Sequence, residues 1–310
     1  MTAPIALFVY NRPDHTRRTI SALSQNTLAS ESDLIIFSDG ARVGSEVQVK
    51  EVRQYLTTVS GFRDVKVIER DGNYGLARSI VAGVTDLIES SGEVIVLEDD
   101  MITAPGFLAY MNEGLNYYRS NNKVWHISGW CFPVDVGSQT SDVYLWRCMD
   151  CWGWATWADR WQHYNNDPNQ HLTWSRQKRR EFDLNDSGLF WLQLEANRKH
   201  KISTWAVYWY ATIYQHGGLC VDPYVPLLQN IGIDGSGEHF NSADDVEMLP
   251  MSLKLRDFDF EDRTEENKAA FESIQAHLAT KKLSLLDHVR HGLKNRLRRF
   301  LGLGSSRSNR

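Results

Sequence analysis

The chain has 310 residues, 42% apolar and 24% charged, with a formal net charge of −5. That length supports one large or two modest domains with a full core. With no run of eighteen apolar residues it offers no candidate membrane span. Its four cysteines (Cys131, Cys148, Cys151 and Cys220) are too few for a disulfide framework. Cys148-x-x-Cys151 lacks the two further ligands a zinc site needs and the context of a redox pair, so structural cysteines are expected.

The opening "MTAPIALFVYNRP" has no basic start or cleavage site and reads as a strand rather than a signal peptide, so a cytoplasmic protein is expected. Strands are predicted at Ile5–Tyr10, Leu34–Ser38, Val65–Glu69, Glu93–Leu97 and Val124–Gly129. Amphipathic helices are predicted at Asp14–Gln25, Val47–Val59, Leu76–Glu89 and Pro105–Arg119. This alternation predicts an α/β domain with a mainly parallel sheet. Ligands of such sheets gather beyond the carboxyl ends of the strands. Four polar clusters fall at those ends: "YNRPD" (10–14), "SDGAR" (38–42), "RDGNYG" (70–75) and "EDD" (98–100).

Nine of the eleven tryptophans crowd into residues 144–216. Trp152, Trp154 and Trp157 have a spacing that fits one side of a helix packed in the core, with one or two other rings expected on an exposed acceptor side. A helix is expected to end at Gly217-Gly218, with strands at Leu219–Asp222 and Val225–Gln229. Residues 234–266 read as a loop rich in Gly, Asp and Glu, and a helix is expected near Glu265–Ala279. The resulting divisions are 1–132, a ligand-binding α/β half; 133–240, the second half of the same domain; 241–280, an acidic loop and helix; and 281–310, a basic tail.

The acids at the end of "VIVLEDD" need a positive partner, because like charges set side by side repel and each resists desolvation. A divalent cation bridging carboxylates to a substrate's phosphates is one answer. Capping of the following helix by Asp99, Asp100 or Thr103 is the other, although a cap accounts for one acid and not three.

"PIALFVYNRPDHTRRTISAL", "NYGLARSIVAGVTDL" and "VIVLEDDMITAPGFLAYMNEGL" resemble nucleotide-sugar-dependent glycosyltransferases of the GT-A fold, in the style of N-acetylglucosaminyltransferase I and bacterial family-2-like polysaccharide enzymes. The likeness is good over about 4–132 and looser to about 240. It implies that Glu98, Asp99 and Asp100 form the DxD-type motif, with Asp100 binding Mn²⁺ or Mg²⁺ on the donor's diphosphate. It also implies that Tyr10, Asn11 and Arg12 hold base and ribose, that Asp39 reads the base edge, and that Arg78 approaches the diphosphate or ribose. His239, in the Gly-rich "NIGIDGSGEHF", resembles a histidine that completes metal or diphosphate binding, and imidazole suits Mn²⁺ better than Mg²⁺. Read from the residues alone, Asn11, Asp14 and Asp39-Gly40 are equally turn or cap residues, and Arg78 a solvated helix arginine.

Inverting transfer needs a carboxylate base. The family supplies it from a "W-D-D-W"-like stretch before a "C-x-x-P" strand. Here Trp205-Ala206-Val207-Tyr208-Trp209 precedes Cys220-Val221-Asp222-Pro223, with Ala206 and Val207 in the places of the acids. Asp150 and Glu195 are the substitutes, Asp150 preferred, with Asp222 and Asp234 more distant choices.

Residues 281–310 carry nine Lys/Arg against one acid, a net of +8 that leaves −13 on the rest. Leu286, Val289, Leu293, Leu297 and Phe300-Leu301 form a helical stripe among those charges. An amphipathic helix on an anionic membrane surface is expected, with docking on the protein's own acidic body as the alternative. Nucleic acid is not an expected partner, since no motif accompanies the charge.

The expectation is a metal-dependent, inverting GT-A transferase of hexosyl or N-acetylhexosaminyl type. It takes a UDP-linked donor and a glycan or lipid-linked acceptor in polysaccharide synthesis, in the cytoplasm or peripheral to the inner membrane face. The alternative is an inert homologue that binds nucleotide sugar or a synthase partner.

Overall fold

A computed structural model describes residues 2–135, 137–171, 173–234 and 249–280. Seven elements build the first half: β1 (Ile5–Val9), α1 (Pro13–Ser24), β2 (Asp33–Ser38), α2 (Glu46–Leu56), β3 (Asp64–Glu69), α3 (Leu76–Ser91) and β4 (Glu93–Glu98). They pair in parallel in the order β3-β2-β1-β4. Every residue of β1 is buried, because helices cover both faces of the sheet. The strand period of two sorts those residues between two cores. Ile5, Leu7, Val9, Ile95 and Leu97 meet Ile20 and Leu23 of α1 and Val52 of α2. Ala6, Phe8, Val94 and Val96 meet Ile80 and Val84 of α3.

The chain continues through β5 (Met101–Thr103), α4 (Phe107–Tyr118), β6 (Val124–Ser128), β7 (Val143–Trp146), β8 (Trp154–Trp157), α5 (Ala158–Trp161), α6 (Arg176–Phe182), α7 (Trp191–Arg198), α8 (Ala206–Gln215), β9 (Leu219–Pro223) and β10 (Leu228–Asn230). A further helix covers residues 268–280. The eight-stranded sheet runs β3-β2-β1-β4-β8-β6-β9-β7, and β10 pairs with β5 apart from it. This mostly parallel sheet between helices is the α/β architecture expected from the sequence.

The first half follows the expected elements closely. The second differs in one consequential place. "WATW" is not a helix but strand β8, inserted antiparallel between β4 and β6. Sheet pairing on both sides overrides the helical spacing of its tryptophans. Its rings still pack as core, with Trp154 stacked on Trp205 at 5.1 Å and on His126 at 5.3 Å. No tryptophan among the described residues is exposed: ten are buried and Trp191 is half-buried beside Arg179, so none stands out as a sugar platform. Among the described residues no helix is long and apolar enough to cross a membrane. The basic stretch 281–310 and most of "NIGIDGSGEHF" lie outside them.

Candidate active site

Strand β4 ends at Glu98, and Asp99 and Asp100 form the turn into β5. None of them caps a helix. Helix α4 starts only at Phe107, without a side-chain cap, and Asn26 Oδ1 accepts the Leu108 N–H at 2.9 Å. Thr103 Oγ1 accepts from Asn26 at 3.0 Å. The capping alternative therefore fails for the acids and for Thr103.

Their positive partner is Arg12, at the carboxyl end of neighbouring β1. Its Nη2 donates to Asp99 Oδ1 and, at 2.8 Å, to Asp100 Oδ2. Burial alone lowers the Arg12 pKa, but the attraction of the two carboxylates outweighs it and the net shift is upward. Burial raises Asp99 above the usual carboxylate range, with Arg12 opposing. Burial, followed by repulsion from Asp100 and Asp99, holds Glu98 well above it. Asp100 Oδ1 is different: it is buried, and among the described residues nothing donates to it. A hard cation prefers such an oxygen. No group of three metal-ligating side chains occurs among the described residues, so a divalent ion here would complete its shell from water or a substrate's phosphates. With that completion the residues fit such an ion, through Asp100.

Asp150 arrives from the other half. Because β8 runs antiparallel to β4 with Trp154 opposite Val96, the residues before Trp154 continue past the end of β4, toward the acids. Asp150 accordingly bears on Glu98 electrostatically. Burial pushes its carboxyl up to about 7, opposed by the Trp152 N–H that it accepts at 2.8 Å. Two further contacts fix the loop. His126 Nε2 donates to the Asp150 carbonyl at 2.9 Å, and the Trp209 N–H donates to His126 Nδ1 at 3.2 Å. Both ring nitrogens are thus committed, and burial keeps this imidazole neutral, its pKa down at about 3.

The remaining strand ends close the crevice. Asp39, after β2, accepts from Tyr74 N at 2.8 Å and Gly75 N at 2.9 Å, which ties the β3–α3 loop to β2. Gly40 is needed there, since a Cβ would stand 2.4 Å from the Gly72 carbonyl carbon. Tyr10 shares its hydroxyl with Ser45 Oγ at 2.7 Å and accepts from Arg42 N at 3.1 Å. Asn11 is half-buried beside it. Arg78 is exposed and lies 4.1 Å over the Tyr74 ring, whose other cation is Arg70 at 4.3 Å. Tyr10, Asn11, Arg12 and the acids thus share the β1–β4 ends, while Arg78 stands on α3 over Tyr74.

Other candidates stand apart. Glu195, on α7, pairs with Arg198 at 3.1 Å and Lys199 at 3.4 Å, and the bond from Arg198 holds its carboxyl below the usual range. That makes it a weak base. Asp222 is fully buried in β9, accepts from Trp146 Nε1 at 2.9 Å, and is raised well above the carboxylate range by burial. Asp234 stands 3.1 Å from His15 Nε2. His239 lies outside the described residues. Nothing in the sequence singles out His126, which reads as one more buried strand residue. Nor does it mark Gly232, over whose α-carbon a Cβ would fall 2.2 Å from Asp100 Oδ2.

Comparison with known proteins agrees with this geometry over the first half. Residues 5–121 match the family model described as glycosyl transferase family 2. No curated protein matches the sequence. Among solved structures, S. aureus TarS is 12% identical with a TM-score of 0.31, covering 46% of this chain; the match spans 24% of TarS, about a quarter of its length. The mannosyltransferase PcManGT from Pyrobaculum calidifontis, solved in complex with GDP-Man and Mn²⁺, is 8% identical with a TM-score of 0.37, over 70% of each chain. The stretch that matches glycosyl transferase family 2 contains β1 to α4 and every acid of the triplet.

Proposed function

We propose that this glycosyltransferase moves a sugar from a UDP-linked donor to a glycan or lipid-linked acceptor with inversion, using Asp150 as the base and a divalent cation at Asp100. The observation that carries the reading is Asp150 itself: a carboxyl with a pKa of about 7, delivered by β8 to the acids at the end of β4. A base poised near working pH removes a proton most effectively.

In the proposed reaction, Tyr10, Asn11 and Asp39 border the nucleotide, and Asp39 keeps the β3–α3 loop in place to receive it. The cation, when bound through Asp100, neutralises the leaving diphosphate. Asp150 accepts the proton of the acceptor hydroxyl as that oxygen attacks the anomeric carbon and the bond to the diphosphate breaks. His126 and Trp209 hold the Asp150 backbone, so the carboxylate keeps its aim. The buried rings Trp130 and Trp152, 4.9 Å apart, present apolar bulk in place of water. Asp150 takes over the part expected of the acids whose places Ala206 and Val207 fill in the first turn of α8. Attachment of residues 281–301 to an anionic inner leaflet belongs to the same reading and would suit a lipid-linked acceptor.

The test is a turnover screen of UDP-, GDP- and dTDP-sugars with Mn²⁺ or Mg²⁺, comparing wild type with Asp150→Asn. Metal-dependent nucleotide release by wild type, lost in the variant while donor binding persists, is the expected result. Binding without release, in the presence of a broad acceptor panel, would instead favour an inert homologue. An Asp150→Asn enzyme as fast as wild type would remove Asp150 as the base.

A further inference from the structure

We propose that Arg12 is the resident counter-ion of the acidic triplet and that a divalent cation competes with it for Asp100. The inference rests on the metal reading given under the proposed function and adds to it what controls metal occupancy. Three carboxyls at the end of one strand repel, and desolvation worsens the repulsion. One guanidinium answers it. Both of its contacts with the acids run through Nη2, which bridges Asp99 Oδ1 and Asp100 Oδ2.

The arrangement is held from three sides. Ile231 N donates to the Asp100 carbonyl at 2.8 Å, which anchors the 230–234 segment over the turn. Gly232 lies on the ion pair so closely that a Cβ would come within 2.2 Å of Asp100 Oδ2 and 3.0 Å of Arg12 Nη1. The Thr19 hydroxyl donates to the Asp99 carbonyl at 2.8 Å from below. Asp100 therefore has little freedom to turn, and it meets an incoming cation with one oxygen already committed to Arg12 and only Oδ1 unpartnered.

A cation at that oxygen shares its carboxylate with a fixed positive charge a few ångströms away. Either the two cations repel across Asp100, or Arg12 swings out toward solvent, where its side chain is already 20% exposed. Both routes weaken metal binding relative to a site without Arg12. The opposing expectation is that Arg12 keeps the acids ionised and ready for metal, so that its removal would protonate them and weaken binding.

Mn²⁺ affinity of the full chain, measured without nucleotide by electron paramagnetic resonance of free Mn²⁺ at pH 8, separates the two. Arg12→Gln is expected to bind Mn²⁺ at least tenfold more tightly than wild type, and Asp100→Asn at least tenfold more weakly. Equal or weaker binding by Arg12→Gln overturns the competition and leaves the metal reading intact. If Mn²⁺ binds none of the proteins, or binds Asp100→Asn as it binds wild type, the metal reading itself falls and the competition falls with it. Should Arg12→Gln fail to fold, Arg12→Lys keeps a charge but cannot bridge two carboxylates in the same plane. It is expected to lie between wild type and the tighter limit, and affinity no higher than wild type would overturn the proposal.

Discussion

The two halves of this sheet solve different problems. Residues 5–98 alternate strand and helix, all four strands pair in parallel in the order β3-β2-β1-β4, and each strand delivers a polar cluster to one edge. Residues 124–223 build the rest of the sheet out of order, with β8 threaded between β4 and β6 and β9 between β6 and β7. The first half positions charge by local chain direction. The second positions one carboxyl by a long-range pairing, and stabilises it with stacked aromatic rings. In such a molecule, binding groups can be found strand by strand, whereas the proposed base depends on where a distant segment enters the sheet.

The comparison breaks most sharply at Asp150. Asp150→Asn is expected to lower kcat by about 10²–10⁴-fold with donor affinity held, and wild-type kcat/KM is expected to rise through about pH 7 as the carboxyl ionises. A flat profile across pH 6–8 would detach Asp150 from the chemistry. The same group has a stability signature. Its folded pKa is raised from 3.8 to about 7, so its contribution is fully present below the unfolded value and is lost as pH rises to about 7. Asp150→Asn should therefore melt above wild type at pH 8, with the gap closing toward pH 4.

Next comes the frame that carries Asp150. Trp154→Ala removes a ring that is 1% exposed and stacked against Trp205, and should cost about 3–5 kcal/mol in urea unfolding. A loss below about 1 kcal/mol would mean that the aromatic layer is not what holds β8. A smaller effect is expected from Trp209→Phe, which keeps the bulk but leaves His126 Nδ1 without its donor. About 1 kcal/mol and a displaced pH profile are expected; an unchanged profile would show that the Asp150 loop needs no such anchor. Smallest of all, Leu192→Gln, at an exposed side chain of α7, should stay within about 0.5 kcal/mol.

Much of the first half was legible because each signal was local. Ile5–Val9 is a run of apolar residues ended by "YNRP", and Gly75 and Gly92 bracket α3. Asp99 and Asp100 announced a need for positive charge, yet the sequence could not say that Arg12, 87 and 88 residues away, already supplies it. Only the parallel pairing of β1 with β4 brings them together. Trp154 and Trp157 misled for the same reason: three-residue spacing suits a helix, but the strands on either side had the stronger claim. Asp150 was singled out for its neighbourhood in the sequence, while the burial that raises its pKa is a property of the assembled sheet.

The two outer strands of the sheet carry a consequence for how copies of this protein meet. An unpaired strand edge is a template for aggregation unless something guards it. On β3 the guard is charge: its exposed residues are Asp64, Lys66 and Glu69. On β7 it is the chain itself, because Asp142 N donates to the Asp259 carbonyl and Asn267 N to the Leu145 carbonyl. The segment after residue 249 thus acts as a selvage, finishing one border of the sheet so that a second molecule finds no open thread to pick up.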